Sequence, residues 1–263
     1  MFPYMGGKAH HIKHLDKLMP FMFDTFVDVF GGAGWVSVKS QSITKARTRI
    51  YNDYNPYLAN IFSWFKQDPV AVSLLLESYP QQDADLYKQF QQEIFGDRIP
   101  ATSVEAAAKY LYLEVQSFTG NTLGLNSSIY FDKKNIHGLN PLLKKLRNSQ
   151  IVNRLRSIAH VENQEACDVI KKYDSESTCF YVDPPYYEKE HYYTHVYGRE
   201  QHYQLAQTLK QIQGQFILSY YEFPDLLEWF PADKYRRYHY TIIKQSSSRT
   251  NKQQGRELVI RNF

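Results

Sequence analysis

The chain has 263 residues, of which 43% are hydrophobic and 22% are charged, so it can bury a core and is not a disordered protein. Its net charge of +4 permits a polyanionic partner without requiring one. Two cysteines, Cys167 and Cys179, are too few for a disulfide scaffold or a four-thiolate metal site. No apolar run is long enough to span a bilayer, and the first residues do not form a signal peptide, so we expect a cytoplasmic protein.

The first strong pattern in chain order is TFVDVFGGAGWVSV, from Thr25 to Val38. An apolar run with β-branched and aromatic residues leads into a glycine cluster and then into a possible helix, which is typical of the first half of a βαβ unit. A second short strand is predicted at Arg49 to Asp53. The helix after it, PYLANIFSWFKQ, begins with a proline at a first-turn position.

The pattern then changes to helical over residues 66–116, becomes Gly/Asn/Ser-rich over 117–134, and is helical again over 141–158. Later strands are predicted in TCFYVD and GQFILSYY, and a terminal pair in residues 235–244 and 256–262. An amphipathic helix, HYQLAQTLKQI, lies between the first two. This order predicts an α/β domain that is interrupted by a second, helical module.

Glycines after the first strand allow a tight turn and a close approach of a ligand to the backbone. Asp53 lies 19 residues after Gly34, at the end of the next strand, where an acidic residue commonly binds ribose hydroxyls. Ser37 stands where a dinucleotide fingerprint has its third glycine, which favours a single nucleoside over a pyrophosphate ligand. The alternative is an ordinary turn with a surface aspartate. Gly7-Lys8 is not a phosphate-binding loop, because Ala9 replaces the required Ser or Thr.

The tetrapeptide Asp183-Pro184-Pro185-Tyr186 directly follows a buried strand run, so it lies at the carboxyl end of a strand, where α/β folds bind ligands. Two prolines stiffen the turn and leave nearby carbonyls free to accept hydrogen bonds. A carboxylate and a carbonyl together can accept both hydrogens of an exocyclic amine, and a tyrosine can stack on the ring that carries it. The set therefore suits a flat heterocycle with an amino group, although a rigid turn capped by aspartate is the structural alternative.

In this order, the motifs resemble those of the D12 class of adenine-N6 DNA methyltransferases, the class of the Dam enzymes. The matching pieces are an early Gly-Gly-Lys, FVDVFGGAG, NDYN, Asp-Pro-Pro-Tyr after a long insert, and a late RELVIRN strand. The resemblance covers most of residues 1–66 and 150–263, and the insert only loosely. It implies a Rossmann-like S-adenosylmethionine-dependent methyltransferase fold. The catalytic domain would be residues 1–66 and 150–263, and residues 67–149 would be an inserted, mainly helical target-recognition domain.

The resemblance also implies roles for individual residues. Cofactor-binding roles toward S-adenosylmethionine fall on Tyr4, Lys8, Phe30, Gly32, Gly34, Asp53 and Asp183. Catalytic roles fall on Asp183, facing the target amine, on the carbonyl of Pro184, and on Tyr186, stacked on the base. The activity implied is methyl transfer to N6 of an adenine flipped out of double-stranded DNA. No metal is required by this chemistry.

Two basic stretches support a DNA partner. Residues 132–160 contain seven Lys or Arg residues and one acid, and residues 234–256 contain seven and none. They could contact phosphates along a cleft, although solvated helix and loop surfaces have the same composition. The candidate DNA-binding residues are Asn121, Asn126, Lys133, Lys144, Arg147 and Arg249.

Other interpretations remain open from the sequence alone. The acceptor could be cytosine N4 or an adenine in RNA, since both carry an exocyclic amine, and a non-catalytic DNA-binding relative would keep the fold. A zinc site at His191, His195 and His202 is disfavoured, and YYEKEHYYTHVYG is better interpreted as a flap that orders over the flipped base. We expect a monomer, in a bacterial cell or phage-infected host, with a restriction endonuclease as a possible partner.

Overall fold

The computed structural model describes residues 2–4, 7–96, 100–117, 129, 138–187, 197–243 and 254–263. The first segment contains α1 (Ile12–Leu18), β1 (Thr25–Asp28), α2 (Trp35–Lys39) and β2 (Thr48–Asn52). Six helices follow: α3 (Pro56–Gln67), α4 (Pro69–Ser78), α5 (Ala84–Phe95), α6 (Val104–Gln116), α7 (Leu139–Leu146) and α8 (Ser149–Arg156). The rest contains β3 (His160–Glu162), α9 (Ala166–Tyr173), β4 (Thr178–Val182), α10 (Arg199–Gln211), β5 (Gln215–Tyr220), α11 (Pro224–Trp229), β6 (Arg236–Ile243) and β7 (Gln254–Arg261).

One seven-stranded sheet organises the molecule, in the order β3-β2-β1-β4-β5-β7-β6. The strands from β3 to β5 are parallel, and β7 is antiparallel to both β5 and β6. The strand order reverses between β1 and β4, which places the switch point of the sheet at their carboxyl ends. The predicted α/β fold and its antiparallel terminal hairpin are confirmed.

Both faces of the sheet are buried, because successive side chains of each strand point to opposite sides. Val27, Phe180 and Leu218 pack with α9, α10 and α11 on one face. Their neighbours Phe26, Cys179 and Ile217 pack with α1 and α2 on the other. The strands therefore have the nearly continuous apolar sequences that parallel sheets require.

Helices α4 to α8 share one hydrophobic cluster with α3 and β2, which includes Phe62, Leu76, Tyr112, Leu142 and Leu155. The insert thus packs directly on the half of the molecule that carries the glycine turn. The predicted domain boundaries, after residues 66 and 149, stay a prediction.

The predicted helix over residues 141–158 is in fact two helices. The side chain of Asn148 accepts a hydrogen bond of 3.1 Å from the amide of Ile151 and so begins α8. The helical backbone of α7 cannot continue into α8, because the capping residue Asn148 has an extended backbone. Within the described residues, no helix combines the length and apolar character needed to cross a membrane.

Candidate active site

A cavity of about 390 Å³ opens at the carboxyl ends of β1, β2 and β4. The loop before α1, the glycine turn and the segments after β2, β3 and β4 all contribute to its wall. Of the residues with predicted roles, the wall includes Tyr4, Lys8, Phe30, Gly32, Asp53, Asp183 and Tyr186. The fold thus brings together residues that are up to 182 positions apart, from Tyr4 to Tyr186.

Asp28, the last residue of β1, places a carboxylate at the base of the cavity. The side chain is buried and accepts a 2.6 Å hydrogen bond from the hydroxyl of Ser37 in α2. Burial raises its pKa to about 7, despite this hydrogen bond. Asp28 was not predicted as a site residue, although a charged residue inside the apolar run TFVDVF was a usable signal.

The glycine turn is required by close packing. A Cβ on Gly31 would lie 2.1 Å from the Tyr51 ring, and one on Gly34 would lie 2.2 Å from the Phe62 ring. Gly34 also has a φ of +64°, in the left-handed region that favours glycine. It lies behind the cavity wall, where it lets α2 begin against α3. Gly32 is on the wall, and a Cβ there would lie 3.1 Å from the Tyr4 ring.

Asp53 follows β2 and is held by two backbone amides. Its Oδ2 accepts from the amide of Gly32 at 2.8 Å, and its Oδ1 accepts from the amide of Asn55 at 2.9 Å. Burial raises its pKa to about 6 even though both hydrogen bonds favour the charged form. Each oxygen keeps a further lone pair that can accept from a hydroxyl in the cavity.

Asp183 follows β4 on the opposite side of the switch point. Its Oδ1 lies 3.0 Å from Nζ of Lys8, whose side chain is almost completely buried. Burial raises the pKa of Asp183 to about 6, although Lys8 opposes the rise. Burial by itself would lower the pKa of Lys8, but Asp183 and Glu257 outweigh this cost and hold that pKa above its ordinary value. A protonated lysine therefore neutralises the carboxylate of the Asp-Pro-Pro-Tyr turn.

Glu257 in β7 is the second buried carboxylate of this site, with 1% of its surface exposed. Its oxygens lie 2.9 and 3.1 Å from the hydroxyl of Tyr186, and one lies 3.6 Å from Nζ of Lys8. Lys8 also donates to the Tyr186 hydroxyl. Glu257 was not predicted as a site residue and entered only as part of the RELVIRN motif, where a single acid beside apolar residues was again a usable signal.

The Asp-Pro-Pro-Tyr turn is supported from behind by aromatic residues. The hydroxyl of Tyr220 donates to the carbonyl of Pro185 at 3.3 Å, and a ring nitrogen of buried His202 lies 2.6 Å from the same hydroxyl. The Tyr186 ring contacts the Tyr221 ring, with centroids 4.4 Å apart. Pro184 lies next to the cavity, off its wall, and the role of its carbonyl stays a prediction.

The far end of the cavity, beyond Asp53, is formed by the segment between β3 and α9. Gln164, Glu165 and Ala166 line it, and the amide of Gln164 donates to the Asn52 side chain at 3.0 Å. Helix α9 begins at Ala166, so its first backbone amides lie at this end of the cavity. None of these residues was predicted to have a role, because no strand was predicted before them.

The candidate DNA-binding residues that the structure describes lie elsewhere. Lys144 and Arg147 line a groove between α4 and α7, where Arg147 forms an ion pair of 2.6 Å with Glu77. Asn121, Asn126, Lys133 and Arg249 lie outside the described residues, as do His191, His195 and most of the predicted flap. In the part of the chain that the structure describes, no group of three or more His, Cys, Asp or Glu residues could hold a metal ion.

The family model for the D12 class of N6 adenine-specific DNA methyltransferases matches residues 4–249. The chain belongs to this family. Type II methyltransferase M1.LlaDCHI of Lactococcus lactis subsp. cremoris is 24% identical, with 99% of this chain and 94% of that protein covered. Modification methylase StsI of Streptococcus sanguinis is 33% identical over 66 residues, which are 25% of this chain and 10% of that protein.

Among solved structures, a precorrin 8W decarboxylase of Methanobacterium thermoautotrophicum aligns with 98% of this D12 chain and 92% of its own, at 9% identity and a TM-score of 0.42. The predicted family, the methyltransferase fold and the activity of a site-specific, adenine-specific DNA methyltransferase are confirmed by the family match and supported by the two methylase relatives. The role of each site residue stays a prediction.

Proposed function

We propose that this D12 methyltransferase binds S-adenosylmethionine in the cavity at the carboxyl edge of its sheet and methylates N6 of an adenine flipped out of double-stranded DNA. The observation that carries the proposal is the pairing of partly buried Asp183 with buried Lys8 on one cavity wall, while Asp53 is held by two amides on another. Both groups are carboxylates that can accept hydrogen bonds, Asp183 from a target amine and Asp53 from the hydroxyls of a ribose.

The cavity residues fit S-adenosylmethionine by charge and by shape. Asp53 would accept from the two ribose hydroxyls, because its hydrogen bonds to Gly32 and Asn55 hold both oxygens in place. Asp28 offers a carboxylate to a cationic ligand, and its raised pKa would fall when that charge is nearby. The absence of a side chain at Gly32 leaves room for the ligand beside the Tyr4 ring. When bound, this cofactor supplies a methyl group on an already activated sulfonium.

The chain's own contribution to catalysis is to position and polarise the target amine. One oxygen of Asp183 would accept from N6, with the carbonyl of Pro184 accepting the second hydrogen. Both hydrogen bonds draw the nitrogen toward tetrahedral geometry and expose its lone pair to the methyl donor. Lys8 offsets the negative charge of Glu257 that Asp183 would otherwise face, because Nζ of Lys8 lies 3.0 Å from the carboxylate of Asp183 and 3.6 Å from that of Glu257.

Adenine inside a duplex cannot reach this cavity, so the base would have to leave the stack, at a cost of a few kcal/mol. The Tyr186 and Tyr221 rings provide an aromatic surface beside Asp183 on which a base can pack. Phosphate contacts would come from the groove around Lys144 and from the basic residues 234–256. We further propose that the protein acts as a monomer, with a restriction endonuclease as its biological counterpart.

The deciding experiment is an assay of the labelled nucleoside. The purified protein is incubated with isotope-labelled S-adenosylmethionine and unmethylated genomic DNA, which is then digested and analysed by mass spectrometry. We expect label in N6-methyladenine from the native protein and at least about 100-fold slower labelling by Asp183→Asn, which keeps the shape of the side chain. Label in N4-methylcytosine would change the acceptor, and label only in a parallel RNA reaction would change the substrate.

A further inference from the structure

The carboxylate of Glu257 is buried among groups that can donate to it. The hydroxyl of Tyr186 lies 2.9 Å from its Oε2 and 3.1 Å from its Oε1, and the hydroxyl of Ser219 donates to Oε2 at 3.3 Å. Nζ of Lys8 lies 3.6 Å from Oε1. An ionised carboxylate accepts hydrogen bonds and donates none, so these partners suit the charged form of Glu257.

The position of β7 in the sheet explains why these groups meet. Ser219 in β5 pairs with Val259 in β7, and side chains two residues apart lie on the same face of a strand. Glu257 is therefore the diagonal neighbour of Ser219, on the face that Nζ of Lys8 approaches. Lys8 and Tyr186 line the cavity, whereas Glu257 lies behind them. Glu257 thus acts on the cavity only through the residues in front of it.

Two acids share Lys8 as a counter-ion. Its Nζ lies 3.0 Å from Oδ1 of Asp183 and 3.6 Å from Oε1 of Glu257, and its side chain is almost completely buried. Both acids raise the pKa of Lys8 against the effect of burial, so the ammonium stays charged. One positive and two negative side chains give the cluster a net charge of −1 when all three are ionised.

Methylation at N6 changes the charge beside this cluster. The lone pair of N6 forms the bond to the methyl carbon, and the bond from that carbon to sulfur breaks with its electrons left on sulfur. N6 thereby becomes cationic, and one of its N–H bonds then breaks with the electrons returning to nitrogen. The proton passes to the Asp183 carboxylate that accepts from N6. Once protonated, Asp183 no longer balances the charge of Lys8.

We propose that Glu257 is a positioning residue for methyl transfer, which keeps Lys8 paired while Asp183 takes up the positive charge from N6. With Glu257 ionised, the cluster passes from a net charge of −1 to neutral. Without this charge, it would pass from neutral to +1 and leave a buried ammonium that has lost its counter-ion, which is strongly unfavourable. This inference rests on the proposed function, because it requires methyl transfer at N6.

The contacts of Tyr186 fit the same role. Lys8 donates to the Tyr186 oxygen, which leaves the single hydrogen of that hydroxyl for a carboxylate. Glu257 lies nearer to this hydroxyl than Asp183 does, with Oε2 at 2.9 Å against Oδ1 at 3.3 Å. Glu257 can therefore hold both Lys8 and Tyr186 in place while Asp183 interacts with the target amine.

The test is a double-mutant cycle of Glu257→Gln and Lys8→Met, with Ser219→Ala as the matched control. Glu257→Gln removes the charge and keeps the size of the side chain, and Lys8→Met removes the ammonium that needs a counter-ion. Ser219→Ala removes a hydrogen bond to the same carboxylate and leaves every charge in place. Rapid quench with labelled cofactor measures the single-turnover rate at saturating cofactor and DNA. Calorimetry measures cofactor affinity, and thermal unfolding checks the fold.

We expect Glu257→Gln to slow methyl transfer by about 100-fold with unchanged cofactor affinity, and Ser219→Ala to stay near the native rate. In the Lys8→Met background, Glu257→Gln should cause no further loss, because no ammonium is left to balance. A native rate in Glu257→Gln, or the same loss in both backgrounds, would overturn the role of Glu257. A native protein that binds cofactor but transfers no methyl group would instead overturn the proposed function.

Discussion

The amide of Gly32 donates a 2.8 Å hydrogen bond to Oδ2 of Asp53, and this contact joins the glycine turn after β1 to the end of β2. Asp53 therefore orients the turn and offers its remaining lone pairs to the cavity. We expect Asp53→Ala to weaken cofactor binding about 10- to 100-fold, because hydrogen bonds to a charged group contribute about 1.5–3 kcal/mol each. Calorimetry measures this change. DNA affinity should stay native, and unchanged cofactor affinity would contradict the ribose assignment.

Asp183 is expected to be indispensable for turnover and dispensable for folding. Asp183→Asn removes the charge that polarises N6 but leaves Lys8 paired with Glu257, so the fold should persist. We expect the methylation rate to fall by about 10²–10⁴, the range typical of a positioned acid or base. Single-turnover kinetics measure the rate and thermal unfolding checks the fold. Near-native turnover by the variant would show that Asp183 does not act on the amine.

Asp28 should make the ligand-free protein less stable as the pH rises. Its pKa is about 7 in the folded chain against an ordinary value of 3.8, so its favourable contribution is complete below about pH 4 and is lost by about pH 7. Asp28→Asn keeps an oxygen for Ser37 and carries no charge. We expect its melting temperature to match that of the native protein near pH 4 and to exceed it by several degrees at pH 8. A difference that does not vary with pH would contradict this.

Gly34 should matter for packing before it matters for the cofactor. Gly34→Ala places a Cβ 2.2 Å from the Phe62 ring at a φ of +64°, so we expect the free energy of unfolding to fall by about 1–3 kcal/mol from overpacking together with backbone strain. Denaturant unfolding measures this change. Gly198→Ala is a suitable control, because its Cβ would meet only the end of the Gln201 side chain, at 3.3 Å. Equal stability of the two variants would show that the Phe62 ring moves aside freely.

Lys144, Lys145 and Arg147 should contribute to DNA binding through charge. Changing all three to glutamine is expected to flatten the dependence of log affinity on log salt by about 0.9 for each phosphate that is no longer neutralised. Because Arg147 is paired with Glu77 and Lys145 lies over the Trp35 ring, we expect Lys144 to account for most of the effect. Lys210→Gln, at the end of α10, is the control. An unchanged salt slope would place the DNA surface elsewhere.

Local sequence determined the elements that surround the site. Apolar strand runs that end in Asp53 and Asp183, with a glycine turn between Phe30 and Gly34, were sufficient to predict a parallel sheet with these residues at its carboxyl edge. This succeeded because parallel strands are buried on both faces and because the turn residues have strong conformational preferences. The same features carried the resemblance to the D12 family.

Only the tertiary structure decided which charges share a site. Lys8 and Glu257 are 249 positions apart in sequence, and nothing near either residue predicts that both contact Tyr186. Their meeting depends on the antiparallel insertion of β7 beside β5 and on the path of the chain before α1. Register and crossover direction arise from the packing of the whole sheet, since a shift of one residue would turn Glu257 to the opposite face. The sequence by itself determined the reaction class, and the fold decided that Lys8 and Glu257 meet at the Asp-Pro-Pro-Tyr turn.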